Sequence, residues 1–303
     1  MNGGTKLKSF LLLSMSIFLP AMTCTSAVAR IIYVDDDGPA DFNNIQAAID
    51  DANDGDTVLV VDGTYTGDGN ENIDFKGKAI TLRSKNGPGN CIIDCNAGPS
   101  HYSRGFYFHS GEDADSVLDG FTITNGYQSP GGGIYCEPAS PTIANCWIIG
   151  NKAVIGRPYF GGGIYCGISA PTISNCIING NSAGVGGGIS GGARITNCEI
   201  SSNRALSDVG GVNALYISNC IISGNRALRD VGGGEALYIS NCIIRDNLPE
   251  QLGNCNSVTY SNVQGGWSGT GNIDVDPCFA EPGYWNLNGT VQDPNDDFWI
   301  NGD

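Results

Sequence analysis

Basic residues are scarce in this chain of 303 residues: 15 Lys and Arg stand against 31 Asp and Glu, a formal charge of −16. So acidic a surface repels nucleic acid and anionic lipid, which removes both as expected partners and favours cations instead. Histidine is scarcer still. His101 and His109 are the only two, and neither lies at a zinc-ligand spacing with a cysteine pair, which argues against a zinc site. Long hydrophobic runs are missing after the first 20 residues, so no segment of the mature chain is expected to cross a bilayer as a helix. The one early run, Phe10–Phe18, follows Lys6 and Lys8 and precedes Ala27-Val28-Ala29, the small-residue spacing of a signal-peptidase site. Residues 1–29 therefore read as a secretory signal cleaved after Ala29, and its removal leaves 13 basic residues against 31 acidic ones. The mature chain is expected to be secreted or at the cell surface.

What the chain has in quantity is one phrase, repeated. It occupies Ile143–Asn151, Ile173–Asn181, Ile195–Asn203, Ile217–Asn225 and Ile239–Asn247, and the last four copies start 22 residues apart. Self-similarity at such a period marks a solenoid, with one supersecondary unit per repeat. The columns of the stacked copies decide which kind. Ile stands first in every copy and again five positions on, at Ile148, Ile178, Ile200, Ile222 and Ile244, with Cys146, Cys176, Cys198, Cys220 and Cys242 between. These columns point inward. The intervening column Trp147, Ile177, Glu199, Ile221, Ile243 mixes a large apolar ring with a carboxylate, and the column Thr142, Thr172, Arg194, Tyr216, Tyr238 varies as freely, so both face outward.

Alternation at period two, rich in β-branched residues and punctuated by glycine, is strand chemistry and excludes helical repeats. A coil in which each strand pairs in parallel with its copy one turn on places successive turns about 4.8 Å apart, so like residues stack on like. Inside, each stacked Ile contributes about 1.5 to 3 kcal/mol of apolar burial. At the bends, Asn145, Asn175, Asn197, Asn219 and Asn241 are expected to hydrogen-bond along the stack. The same five-residue spacing recurs at Leu118 and Ile123 and at Val258 and Val263, which makes seven coils legible, with Ala79–Arg83 and Ile92–Asp94 as strands of earlier ones.

From about residue 31 to 280 the pattern resembles the right-handed parallel β-helix proteins, the pectin-lyase-like superfamily. More narrowly, Gly131-Gly132-Gly133-Ile134, Gly161-Gly162-Gly163-Ile164 and Gly186-Gly187-Gly188-Ile189, each followed by Ile-x-x-Asn, are partly similar to repeats of chlamydial polymorphic outer membrane proteins, with Ile in place of Phe. The resemblance implies an all-β fold over residues 30–271 with a short N-terminal capping α-helix. Asn43–Ala52, with Ile45, Ala48, Ile49 and Ala52 on one face, supplies that cap at about 41–53, and Asp56–Val61 with Gly63-Thr64-Tyr65 reads as the first strand and turn that follow it. Residues 272–303 form a distinct acidic and aromatic segment, expected to be irregular and cut short. The cysteine column reads as free buried thiols, since in-register neighbours keep Cβ atoms further apart than a disulfide prefers; Cys136 with Cys166, and Cys91 with Cys95, are left as pairs that spacing alone does not decide.

The superfamily includes polysaccharide lyases and hydrolases, yet the Arg-x-Pro-x-x-Arg phrase of pectate lyases and the Gly-His-Gly of polygalacturonases are both absent. One outward constellation remains. Arg194 and Glu199 are the candidates for catalysis, Tyr216, Tyr238 and Trp147 for binding a sugar, and Asp208 and Asp230 for a Ca²⁺ ion. The structural alternative makes them solvated ion pairs and ordinary strand tyrosines. Asp35-Asp36-Asp37 likewise reads either as a calcium-binding run or as a polar strand-to-helix connection. The function expected is a non-catalytic surface or secreted scaffold, adhesin-like or carbohydrate-contacting, with a polysaccharide or another surface protein as partner; the alternative is a polysaccharide lyase acting on acidic glycans.

Overall fold

The computed structural model describes residues 28–153, 159–278, 284–286 and 298–300, of which the last two stretches are described as backbone. Residues 1–27 of the expected signal peptide lie outside the described residues. The chain winds through about nine turns of parallel strands. A nine-stranded sheet runs from Gly63–Tyr65 to Asn262–Val263, in the order the chain visits it, and carries Trp147–Ile149, Ile177–Asn179, Glu199–Ser201, Ile221–Ser223 and Ile243–Arg245 in unbroken register. A four-stranded sheet of the two-residue strands Lys152–Ala153, Ser182–Ala183, Arg204–Ala205 and Arg226–Ala227 makes another row, and a 14-stranded sheet holds two further rows of strands. One row includes Thr142–Ala144, Thr172–Ser174 and Arg194–Thr196; the other includes Phe106–Phe108, Ile134–Cys136, Ile164–Gly167 and Ile189–Gly191. The two rows fuse in the long strands Val212–Ser218 and Gly234–Ser240.

The fusion follows from shortening of one corner. From Ile134 to Ile143 and from Ile164 to Ile173 the chain spends nine positions, from Ile189 to Ile195 six, and from Val212 to Ile217 five. With nine, the chain turns corners at Glu137–Pro141, which tucks Ala139 into the core, and at Gly167–Pro171, which exposes Ile168; with five, no corner is left and the strand runs through.

Inside lie the inward columns, with the Ile and Cys members between 0 and 3% exposed. Each column thiol is free. Its sulfur also serves the backbone of the neighbouring rung. The backbone N–H of Cys146 donates to Sγ of Cys176, that of Cys176 to Cys198 and that of Cys198 to Cys220, each at 3.4 Å. In the last rung Ser261 Oγ takes over, accepting from Cys242 N–H at 3.1 Å.

The asparagine ladder is not where the bend asparagines suggested. Asn145, Asn175, Asn197, Asn219 and Asn241 are exposed residues held at φ 53–54°, a left-handed conformation that Asn tolerates. They turn the chain, and Asn145 reaches sideways to Asp119 at 2.6 Å. The ladder is the other column, Asn151, Asn181, Asn203, Asn225 and Asn247, all 0–1% exposed. Asn151 Oδ1 accepts from Gly126 N–H at 2.9 Å, and each later Oδ1 accepts two bonds from the rung before, one from backbone N–H and one from Nδ2, as Asn181 does from Asn151 at 2.9 and 3.1 Å and Asn203 from Asn181 at 3.0 and 3.0 Å. Gln251 ends it, accepting from Asn247 Nδ2 at 2.8 Å. A buried amide that leaves no donor or acceptor open explains why one residue type recurs there.

The Gly-Gly-Gly phrases pack against this ladder. A Cβ on Gly132 would lie 2.4 Å from Gly162 O, and one on Gly133 3.0 Å from Asn151 Nδ2, so only glycine lets successive rungs and the amides close up. The cap is the helix Ile45–Asp51, with Asn44 Oδ1 accepting from Ala47 N–H and Ile45, Ala48 and Ile49 buried. Thr57–Val60 is the first strand after the helix, within the expected Asp56–Val61, and a further strand, Ile31–Val34, precedes the helix and pairs in register with it, its Ile32 and Val34 inward. Asp35-Asp36-Asp37 connects that strand to the helix. Far along the chain, Tyr284–Asn286 pairs antiparallel with Phe298–Ile300.

Candidate functional site

Parallel register gathers the candidates on the 14-stranded sheet. Arg194 pairs with Tyr216 and Tyr216 with Tyr238, so three outward side chains from sequence positions 22 apart stand in one column. The Arg194 guanidinium lies 4.4 Å from the centre of the Tyr216 ring, and Tyr216 and Tyr238 stack at 5.2 Å with planes 9° apart. In that arrangement Tyr216 is covered on both faces. Tyr238 has one face left, toward Ser257 on the next rung, whose small side chain does not cover it. Tyr238 is 48% exposed, and its free face beside a serine hydroxyl suits a sugar ring, apolar on one side and polar at the edge.

The other candidates do not join it. Glu199 belongs to the nine-stranded sheet, past the Asn197–Cys198 corner from Arg194, with Ile177 and Ile221 beside it and Ser201 Oγ donating to its Oε1 at 2.8 Å. Arg194 and Glu199 thus face different sides. Trp147 is on the same sheet as Glu199, two rungs earlier, 38% exposed and near Gly89. Asp208 and Asp230 follow the short strands Arg204–Ala205 and Arg226–Ala227, and among the described residues no third acidic, cysteine or histidine ligand converges on them. The described residues place three such groups together only at Asp35, Asp36 and Asp37, whose carboxylate oxygens lie within 4.8 Å of one another.

A second aromatic group, on the row that includes Phe106–Phe108, was not singled out from the sequence. Tyr107, Tyr135 and Tyr165 succeed one another on adjacent rungs with centres 5.1 and 5.5 Å apart and planes tilted 52° and 34°. Arg104, 6% exposed, lies 5.1 Å from the centres of both Tyr107 and Tyr135 and donates from Nη1 to Pro130 O at 2.7 Å. His109 stacks on Tyr107 at 4.1 Å and faces Asp74 at 3.2 Å. Burial, and then the hydrogen bond to Glu137, raise the Tyr165 hydroxyl to about 12. The signal was present in the sequence, since Tyr135 and Tyr165 follow the Gly-Gly-Gly-Ile phrase; Arg104 carries no repeat and could not be placed beside them.

Comparison with solved structures bears on the architecture. The chain overlays pectate lyase Pel9A with a TM-score of 0.56 at 20% identity, over 82% of this chain and 73% of that one. The pectin-lyase-like right-handed β-helix is its fold. The same β-helix is shared with pectin methylesterase from carrot, at a TM-score of 0.52 and 12% identity over 82% of this chain and 88% of that one. A pectin methylesterase in complex with a hexasaccharide gives 0.50 and 12% over 84% and 95%. No protein-family model matches the chain, and no curated protein matches it. At these identities the likeness concerns the β-helix alone, and the tyrosine–arginine groups stand on this chain's own residues.

Proposed function

We propose that this β-helix is an exported, non-catalytic protein that contacts carbohydrate along its outer wall. The observation that carries the reading is the register-locked column Arg194–Tyr216–Tyr238, in which a cation and two rings are held by strand pairing and one ring face is left open. Preorganised rings cost little conformational entropy on binding. A base and a charge-stabilising cation aimed at one point are what a lyase requires, and Glu199 and Arg194 face different sides of the wall. A polysaccharide chain laid across the column is the partner the reading supports, with surface attachment or adhesion as its setting.

Affinity electrophoresis through gels containing neutral or uronate polysaccharides tests it. Retardation by at least one polymer is expected, weakened about tenfold by Tyr238→Ala, the scale of one lost ring contact. An unretarded wild-type protein overturns the proposal. So does release of unsaturated uronate product, with or without calcium, because that is lyase turnover.

A further inference from the structure

We propose that the chain is built to begin at Arg30: cleavage of the Ala29–Arg30 bond creates an α-ammonium that forms an ion pair with the buried carboxylate of Asp56. The proposal rests on the export part of the reading above and uses none of the residues that face carbohydrate in it. Two independent observations meet at this bond. The sequence puts Ala27-Val28-Ala29, small residues at a signal-peptidase spacing, immediately before it. Rung pairing begins immediately after it. Thr57 N–H donates to Arg30 O and Ile31–Val34 runs on in register with Thr57–Val60, whereas Val28 is 90% exposed and Ala29 is exposed too.

Arg30 holds Asp56 through its main chain and its side chain together. The backbone nitrogen lies 2.9 Å from Asp56 Oδ1 and Nε 2.8 Å from Oδ2, which also accepts from Asn53 N–H at 2.9 Å. The Asp56 side chain is 5% exposed. The same guanidinium reaches Asp51 on the capping helix, Nη2 to Oδ2 at 2.9 Å, so one cation serves two carboxylates. Asp41 lines the recess beside them, Asp54 accepts from Ala79 N–H, and the Lys78 ammonium is occupied by the carbonyls of Ile49, Asp50 and Ala52. A second positive charge would balance this corner, and the backbone nitrogen already bonded to Asp56 is the atom that hydrolysis converts. The reaction consumes one water and leaves a carboxylate on Ala29 and an ammonium on Arg30. A hydrogen bond between two charged groups is about twice as strong as a neutral one, so removal of the leader tightens the cap over the first rung. An uncleaved chain keeps a neutral amide there.

Urea unfolding of two chains without the leader, one beginning at Arg30 and one at Ala29, tests the ion pair. Both carry an ammonium, and only the first carries it at Asp56. At pH 7 the chain that begins at Arg30 is expected to have an unfolding constant about fivefold smaller, the scale of an ion pair with one partner exposed. Asp56 raises the folded-state pKa of that ammonium above the ordinary α-amino value of about 8. The stability gained is therefore complete below about 8 and lost as pH rises through the folded value about a unit higher, so the two chains are expected to converge at about pH 10.5. Arg30→Ala in both chains removes the side-chain pairs and is expected to leave the fivefold difference; the wild-type pair alone decides if those variants do not fold. Equal unfolding constants at pH 7, or a difference unchanged at about pH 10.5, overturn the ion pair. Secretion of the chain with its own leader, followed by mass spectrometry of the N-terminal peptide, tests the cut. A start at Arg30 is expected, and any other start or an intact leader overturns it. Gel retardation sensitive to Tyr238→Ala is measured apart from both, so failure here is distinct from failure of the carbohydrate reading.

Discussion

Asn203 sits at the centre of the buried ladder, where its side chain accepts from Asn181 and donates to Asn225 and to Ile178 O. Asn203→Ala strands a backbone N–H and a carbonyl in the core, and is expected to lower stability by about 3 kcal/mol, measured by denaturant unfolding. The cysteine column is more forgiving. Cys198→Ser keeps an acceptor for Cys176 N–H, as Ser261 does for Cys242, and is expected to cost about 1 kcal/mol. At the cap, burial would raise Asp56, but N–H groups of Arg30 and Asn53 and the Arg30 side chain outweigh it and lower the carboxyl to about 2. Its contribution is therefore complete above the ordinary carboxylate range and lost as pH falls toward 2. Amide exchange in Ile31–Val34 is expected to accelerate over that interval, and Asp56→Asn to remove the pH dependence.

At the scale of the element, the strands are short, commonly three residues, and close approach of rungs does what length does not. Gly187 shows the requirement: an added Cβ would lie 2.4 Å from both Arg204 O and Gly210 O, backbone atoms that cannot turn aside. Gly187→Ala is expected to abolish soluble expression, whereas Gly98→Ala, with nothing within 4 Å, leaves the melting temperature unchanged. On the nine-stranded sheet, Glu199 interrupts the outward column of Trp147, Ile177, Ile221 and Ile243. Glu199→Ile makes that stripe continuous, and sedimentation is expected to show increased self-association.

Across the whole molecule, inward columns were readable because stacking imposes one residue type on each position: Ile, Cys and Ile repeat, and the parallel wall follows. Two asparagine columns repeat equally well, however, and repetition does not say which is inside. What separates them is the residue before the second Asn, which holds the left-handed turn as Gly150, Gly180, Ser202, Gly224 or Asp246 and delivers the amide inward. Strand Ile31–Val34 escaped notice because a single four-residue alternation with no copy gives a weak signal. Of the candidate sites, the Arg194–Tyr216–Tyr238 column was legible through register, while Arg104 depends on a contact between a non-repeating corner and two later rungs.

The corner that shrinks from nine positions to five divides the wall into two terrains. Where it is long, the segments Glu137–Pro141 and Gly167–Pro171 stand between the tilted tyrosines and the rest of the sheet, and Ile168 projects from one of them 90% exposed. Where it is short, Asn213 and Tyr216 lie on one continuous strand. Length is thus a tolerant coordinate only at Ile168: the other corner tucks Ala139 into the core and ties Ser140 to Glu112 O and Ala170 N–H, so it admits no insertion. A peptide tag inserted at Ile168 would stand out from the wall with both neighbouring strands in register, which makes that one tip a natural mounting point for reporters or foreign epitopes.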